Sequence, residues 1–445
     1  MSGGWHGVAG GAAIAAIGVL LMSGCGAAPA PGARPGSSAP VSPGRQSATS
    51  PKPTTSGPVT FASRAAAAEV AVVRAGVLSV VDEATGRAVV LARGPYDGRL
   101  GSAIGTPDFS HDGTWVAYLE TIGGSSSLHV VSRSGGTAIT VRGVQGYAWS
   151  PARDELAVAL LRSVELLSPT GKVLESWAVT DAGPEFFSPS GRQIEVSSRP
   201  SLLTGSLLVL PVGGGAPRTV LSRTGYCQDP AGWTHDGSRV LSWQDLDCSA
   251  SLAADGLPLF AIPAAAGRPV SLGTTLAYPW WVLPVSGVRV LVNTGGDRVA
   301  ADHKVLQSCD AATGVCTALP LPASTSSLDP AMASAARELF DVRVRQSQQA
   351  NDFFPGGTLW AGTLSGGGGE HELTAAGAGV AAPVPSPDGT TVTFVRMSSA
   401  SSATVDVMST RTGLVRVLAP VDVWLADYYG EFKALNVVSV WPASS

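Results

Sequence analysis

A tight-turn signature feeding a short apolar strand, Ser386-Pro387-Asp388-Gly389-Thr390-Thr391-Val392-Thr393-Phe394-Val395, recurs in decayed copies from the N-terminal third of the chain to its end. Few folds tolerate such a recurrence. The Ser and Asp side chains bond to backbone amides just ahead of them and hold a type I turn. Gly takes the positive φ that ends the turn. The residues that follow alternate or run apolar, as a half-buried strand does.

The copies are Phe109-Ser110-His111-Asp112-Gly113-Thr114-Trp115-Val116-Ala117-Tyr118, Trp149-Ser150-Pro151 ahead of Leu156 to Ala159, Phe187-Ser188-Pro189-Ser190-Gly191 ahead of Ile194-Glu195-Val196, and Trp233-Thr234-His235-Asp236-Gly237 ahead of Val240 to Trp243. Two weaker units follow. One runs from Trp281 to Val292 around Pro284-Val285-Ser286-Gly287, the other from Ser334 to Val342. From Ser110 the Ser/Thr position advances by 40, 38 and 46 residues to Ser150, Ser188 and Thr234, and the two weaker units divide the 152 residues from Thr234 to Ser386. Between copies lie strand–turn–strand pairs such as Leu78 to Val90 around Gly86 and Thr404 to Leu418 around Gly413. A repeat of this period with four strands in each unit is the signature of propeller blades. The fold class expected is therefore all-β, a β-propeller of four-stranded blades.

The units resemble the repeats of the TolB-like, WD40-like propeller family, whose signature is aromatic-Ser-Pro-Asp-Gly followed by a strand. The resemblance spans residues 57 to 445, is specific at Ser110, Thr234 and Ser386, and is loose near Ser286 and Ser334. It implies a binding or scaffold role in the cell envelope rather than a shared reaction. It also makes Ser110, Asp112, Gly113, Thr234, Asp236, Gly237, Ser386, Asp388 and Gly389 structural turn residues. Counting a unit at Ser63 with the seven later ones predicts eight blades, with the last strand, near Leu435 to Trp441, closing the first. Seven blades is the alternative, with Ala331 to Leu339, whose composition also suits a helix, as an insertion.

Three segments are expected. Residues 1–24 read as a lipoprotein signal peptide: a short apolar core, Val8 to Met22, ends in Leu21-Met22-Ser23-Gly24-Cys25, which resembles a bacterial lipobox with Cys25 as the acylated residue. Met22 stands where Leu is usual, and Met1 to His6 carries no Lys or Arg. A plain secretory signal is the alternative. Residues 25–58, rich in Pro, Ala, Gly and Ser, have too few apolar side chains to fold and read as a disordered linker. Residues 59–445 form the propeller. The expected location is extracytoplasmic, held at the cell membrane by lipid at Cys25.

The chain has five Cys. Setting Cys25 aside leaves an even four in an exported protein. Cys309 and Cys316 flank a hairpin turn, and Cys227 and Cys248 flank the strand at Val240 to Trp243, so the disulfides expected are 309–316 and 227–248. With no Cys-x-x-Cys and no His at ligand spacing, neither a metal nor another cofactor is expected. The formal net charge of −4 gives no basic footprint for nucleic acid or an anionic lipid surface.

Catalytic patterns are sparse. Gly-x-Ser-x-Gly is absent, and no length remains for a hydrolase domain beside the propeller. Ser110 to Trp115 is similar to a sialidase Asp box but lacks one residue between Asp and Gly. Asp310 to Gly314 and Glu83 to Gly86 resemble quinone-propeller turns without the Trp that follows them. The chain is therefore expected not to be an enzyme but a lipid-anchored binding or scaffold module for an envelope protein, peptide or glycan. The alternative is a propeller enzyme with a hydrolase or lactonase-like site in the central channel. His111 and His235 read as solvated turn residues, and the in-phase aromatics Phe109, Trp149, Phe187, Trp233 and Trp281 as packing between blades. Trp424, Tyr428, Tyr429 and Trp441 either pack the closure or form an exposed patch. The polar stretches at Asp245 to Asp247, Gly295 to Arg298 and Gln346 to Asp352 are the candidates for a recognition face.

Overall fold

The computed structural model describes residues 68–97, 101–201, 204–246, 256–295, 303–333, 337–346, 357–364, 369–399, 402–422 and 438–441. The signal, linker and Cys25 expectations, with Cys248, Ser334, Trp424, Tyr428 and Tyr429, lie outside them. The described residues build eight antiparallel four-stranded sheets that follow one another around a ring, an eight-bladed propeller.

Blade 1 combines Glu69–Arg74, Val77–Asp82 and Ala88–Arg93 with Val438–Trp441 from the other end of the chain. The C-terminal strand is innermost, with Val438 opposite Val72 and Trp441 opposite Glu69. Every later blade is sequential. Blade 2 starts its innermost strand at Asp108–Phe109, blade 3 at Val144–Trp149, blade 4 at Ala182–Phe187 and blade 5 at Tyr226–Trp233. Blades 6, 7 and 8 start at Leu283–Ser286, Thr325–Ala333 and Val380–Pro385. Closing the ring in this way leaves no free innermost edge.

Second strands are buried on both faces because each lies inside a sheet and between two neighbouring sheets. Leu156–Leu160, Leu-Ala-Val-Ala-Leu, is nearly solid apolar for this reason. Cores form where blade faces meet. Leu207 and Val209 of blade 4 pack with Trp233, Val240 and Ile262 of blade 5. Leu241, Trp243 and Leu259 of blade 5 pack with Val290 and Val292 of blade 6. Trp149 and Trp233 donate Nε1 to the carbonyls of Asp108 (3.2 Å) and Phe186 (2.9 Å), each on the innermost strand of the preceding blade.

Two local expectations are corrected. The Ala331 to Leu339 stretch is no helical insertion. Ala331 pairs with Phe340 and Ala333 with Glu338, so a strand pair outweighs the helix-forming composition. Trp281 is not on a strand. It ends a 3₁₀ turn, Pro279–Trp281, that shortens the innermost strand of blade 6 to four residues, and it remains buried.

Candidate functional site: the loop end of blades 4 to 7

The ring has two unlike ends. At one, the repeat turns join innermost to second strands. Ser110 Oγ donates to Asp112 (2.8 Å) and accepts from the Trp115 amide (3.1 Å), while Asp112 accepts from the Thr114 amide (2.7 Å). Thr234 with Asp236 and Ser386 with Asp388 repeat the arrangement, at 2.7 Å each. Gly113, Gly237 and Gly389 sit at φ of 69°, 68° and 71°, where a side chain would be strained. Hydrogen bonds from Thr114 and Ser110 outweigh burial and hold Asp112 below the ordinary carboxylate range, and the Ser386 hydroxyl and Thr390 amide do so at Asp388. His111 and His235 are exposed beside these turns. These residues build the scaffold.

At the opposite end, second strands connect to third strands. The connection is two residues long in blades 1, 2, 3, 4 and 8. In blades 5, 6 and 7 it is ten, twelve and twelve residues, 247–256, 294–305 and 346–357. Three long connections on three consecutive blades make this end asymmetric.

The blade faces beneath that end turn polar. Between blades 4 and 5, Glu195, Ser197 and Arg199 are at alternate positions of one second strand and Ser242 and Gln244 at alternate positions of the next. Gln228 is opposite Gln244, and both are buried. Arg223 lies over the Tyr226 ring at 4.1 Å and donates to Gln244. Gly205 lets the innermost strand of blade 5 come close, since a Cβ there would stand 2.4 Å from the Tyr226 carbonyl oxygen. Among the described residues neither amide atom of Gln228 has a hydrogen-bond partner. Burial pushes the Glu195 carboxyl well above its ordinary range, against the nearby Gly232 amide. Asp229, partly accessible on the innermost strand but hemmed by protein, is pushed up to about 6 by burial and by Asp245, against Arg199.

Between blades 6 and 7 the pattern repeats with a basic partner. Asp341 is buried, accepts from Ser327 (2.6 Å) and pairs with Arg343 (2.9 Å), which also reaches Glu370 (3.0 Å) and stacks over Trp360 at 4.5 Å. Asn293 donates to the Ser327 carbonyl (2.6 Å), and the fully buried Lys304 adjoins the same strand through its backbone. On the innermost strand of blade 7, Asp329 accepts from Trp281 Nε1 (2.9 Å), ahead of blade 6, and from the Ala382 amide of blade 8. Burial pushes it up to about 6. This end therefore gathers carboxyls that change charge near neutral pH, guanidinium groups and buried amides. That is the equipment for holding a polar ligand or moving a proton.

Of the residues flagged from sequence, Asp245 ends the second strand of blade 5 with Leu246, just before its long connection, while Gly295 and Gln346 lie at the start of those in blades 6 and 7. Glu195, Gln228, Asp229, Asp329, Asp341 and Lys304 were missed. A signal existed for two of them: Asp229 and Asp329 each precede a Pro and stand five residues ahead of the turn position, Thr234 or Ser334. Cys309 and Cys316 form a disulfide across blade 6, with Cα atoms 4.0 Å apart. Cys227 is disulfide-bonded to a residue outside the described set. His129, which had no partner visible in sequence, accepts or donates at Thr140 (3.1 Å), lies 3.3 Å from Glu120 and stacks on Tyr118. Among the described residues no group of three or more His, Cys, Asp or Glu side chains is arranged to hold a metal ion.

No family model matches the sequence, and no curated protein matches it. Solved structures do match in fold. The dihydro-heme d1 dehydrogenase NirN superposes over 80% of this chain and 73% of its own, at 13% identity and a TM-score of 0.54. A eukaryotic initiation factor covers 84% of this chain and 88% of its own, at 12% identity and 0.51. Porphyromonas gingivalis dipeptidyl peptidase 4 covers 80% and 57%, at 11% identity and 0.51. The chain spans half the length of a prolyl endopeptidase that it also matches. The expectation that the chain is not an enzyme is corrected here. Enzymes are built on the fold it shares, so a missing Gly-x-Ser-x-Gly nucleophile does not exclude catalysis.

Proposed function

We propose that this chain is a lipid-anchored, extracytoplasmic propeller that binds a polar ligand, a segment of an envelope protein, a peptide or a glycan, at the loop end of blades 4 to 7. The observation that carries the reading is the coincidence at one end of three long connections with the buried polar layer around Gln228, Asp229, Asp341 and Arg343. Long connections on a rigid ring are where binding groups sit. The four short connections on blades 1, 2, 3 and 8 leave the rest of that end little reach.

Two measurements test it separately. Labelled palmitate should enter the wild type and not Cys25→Ala, and no label in either removes the anchor. Crosslinking in intact membranes should capture an envelope component with the wild type, several-fold less with Asp229→Asn and Arg343→Ala. Equal capture by all three would remove the loop-end site.

A second reading has its own observation. Asp229, held near 6 beside Asp245, suits general acid–base chemistry in a channel-site hydrolase or lactonase. It predicts turnover of the captured ligand, with a pH limb near 6 that disappears in Asp229→Asn.

A further inference from the structure

Charge is sorted between the inside of the ring and its outside. The eight innermost strands carry four acids, Asp108, Glu185, Asp229 and Asp329, and no Lys, Arg or His. The eight outermost strands carry five arginines, Arg93, Arg142, Arg218, Arg223 and Arg416, against Glu175 and Glu372. Proline is sorted too. Six stand within innermost strands, Pro184, Pro230, Pro284, Pro330, Pro383 and Pro385, and one, Pro420, within an outermost strand. An innermost strand is a sheet edge, paired only with its second strand. Proline is tolerated on such an edge where its nitrogen faces away from the partner strand, here toward the channel that the ring encloses. At each of these places the wall keeps its carbonyl and lacks an N–H.

These two patterns decide what the channel can hold. A peptide added as a strand needs both N–H and C=O along an edge, and blades 4 to 8 interrupt that edge with proline. An anion meets carboxyls and fewer donors than acceptors. A cation that donates hydrogen bonds meets carbonyls and carboxyls on a wall of one sign, which raises its local concentration. A metal ion needs acceptors gathered at one point, and among the described residues no three His, Cys, Asp or Glu side chains are so gathered. An ammonium or guanidinium group has several N–H donors and suits acceptors spread around it. Two of the four acids differ in availability. Asp329 is taken up by donors from Trp281 and Ala382. Asp229 is partly accessible, and among the described residues its carboxyl accepts no hydrogen bond; Arg199 acts on it from blade 4 through charge alone.

We infer that the channel, entered from the loop end, is a site for an organic cation, an ammonium or guanidinium group, with Asp229 as its charged contact. The inference deepens the proposed binding role and rests on it, because it names the group that the ligand inserts. A lysine or arginine side chain of an envelope component and a free diamine share this chemistry.

The test is calorimetric titration of the full-length chain with cadaverine, with its neutral diacetyl derivative, with the dianion glutarate, and with calcium chloride at equal ionic strength. Cadaverine is expected to bind, roughly tenfold or more tightly than the diacetyl compound or glutarate, and several-fold more weakly to Asp229→Asn. Glu372→Gln, which removes an exposed acid of an outermost strand, should bind like the wild type. An unchanged thermal melt shows that both variants fold. The inference is overturned by absence of cadaverine binding, by equal binding of the neutral derivative, by tighter binding of calcium, or by unaltered affinity in Asp229→Asn. Nα-acetyl-lysine methylamide binding as tightly as cadaverine assigns the group to a protein side chain, and a preference for cadaverine assigns it to a free diamine; either result supports a cation site. If cadaverine binds as expected while membrane crosslinking is equal for wild type, Asp229→Asn and Arg343→Ala, the channel site stands and the loop-end capture of an envelope component falls.

Discussion

Asp329 shows how much one side chain does in this ring. It stands at φ 50° on the innermost strand of blade 7 and binds donors from the flanks of blades 6 and 8, so three consecutive blades meet on one carboxyl group. Removing it strands two buried N–H groups, and Asp329→Ala should cost about 2–4 kcal/mol in urea denaturation. Its folded pKa of about 6 lies above its ordinary 3.8. The folded state thus holds the proton more tightly than the unfolded chain does. The stability from this source is complete below about pH 4 and is lost as pH rises through about 6. Asp229 acts in the same direction. The melting temperature should therefore rise between pH 7 and pH 5, and Asp329→Asn should flatten that rise. A wild type whose melting temperature falls over the same interval would contradict the assignment. Both aspartates precede a Pro five residues ahead of the turn position, yet neither was singled out, because a charge in a strand reads as solvent-facing until the neighbouring blade is known to cover it.

Elements were more legible than residues. Ser386 to Val395 carries turn, glycine and strand in ten consecutive positions, all local chemistry, so the turn end could be read directly. The hairpin closed by Cys309 and Cys316 was equally local, its two cysteines opposite each other in register. Its eight-residue loop should contribute about 2–3 kcal/mol in the chain-entropy model. Cys309→Ala/Cys316→Ala should lower the urea midpoint accordingly, and an unchanged midpoint would show that the bridge adds nothing. The innermost strand of blade 6 was misread because Trp281 kept the phase of the repeat while Pro279 diverted the backbone into a 3₁₀ turn. The polar layer was illegible for a different reason. Glu195 and Gln228, on consecutive blades and 33 residues apart, share an interface only when the two sheets stack face to face.

At the level of the whole molecule, blade number followed from counting, but closure depended on the two chain ends meeting. Four residues, Val438 to Trp441, complete blade 1 by pairing with Glu69 to Val72. A chain truncated before Val438 should lose the single cooperative transition and associate through the uncovered edge of the strand that starts at Glu69, measurable by calorimetry and sedimentation. Retention of the wild-type melt would show that the closing strand is dispensable.

That closing strand also sets a clock. A chain delivered N-terminus first holds blade 1 as a three-stranded fragment until its last residues arrive, so the ring has no finished form at any intermediate length. Blades 2 to 8 are each built from consecutive strands, but the ring closes only when blade 1 gains its fourth strand. Until Val438 to Trp441 pair with Glu69 to Val72, the inner edge of blade 1 stays uncovered, so the closing strand couples the two ends of the ring in a single folding event.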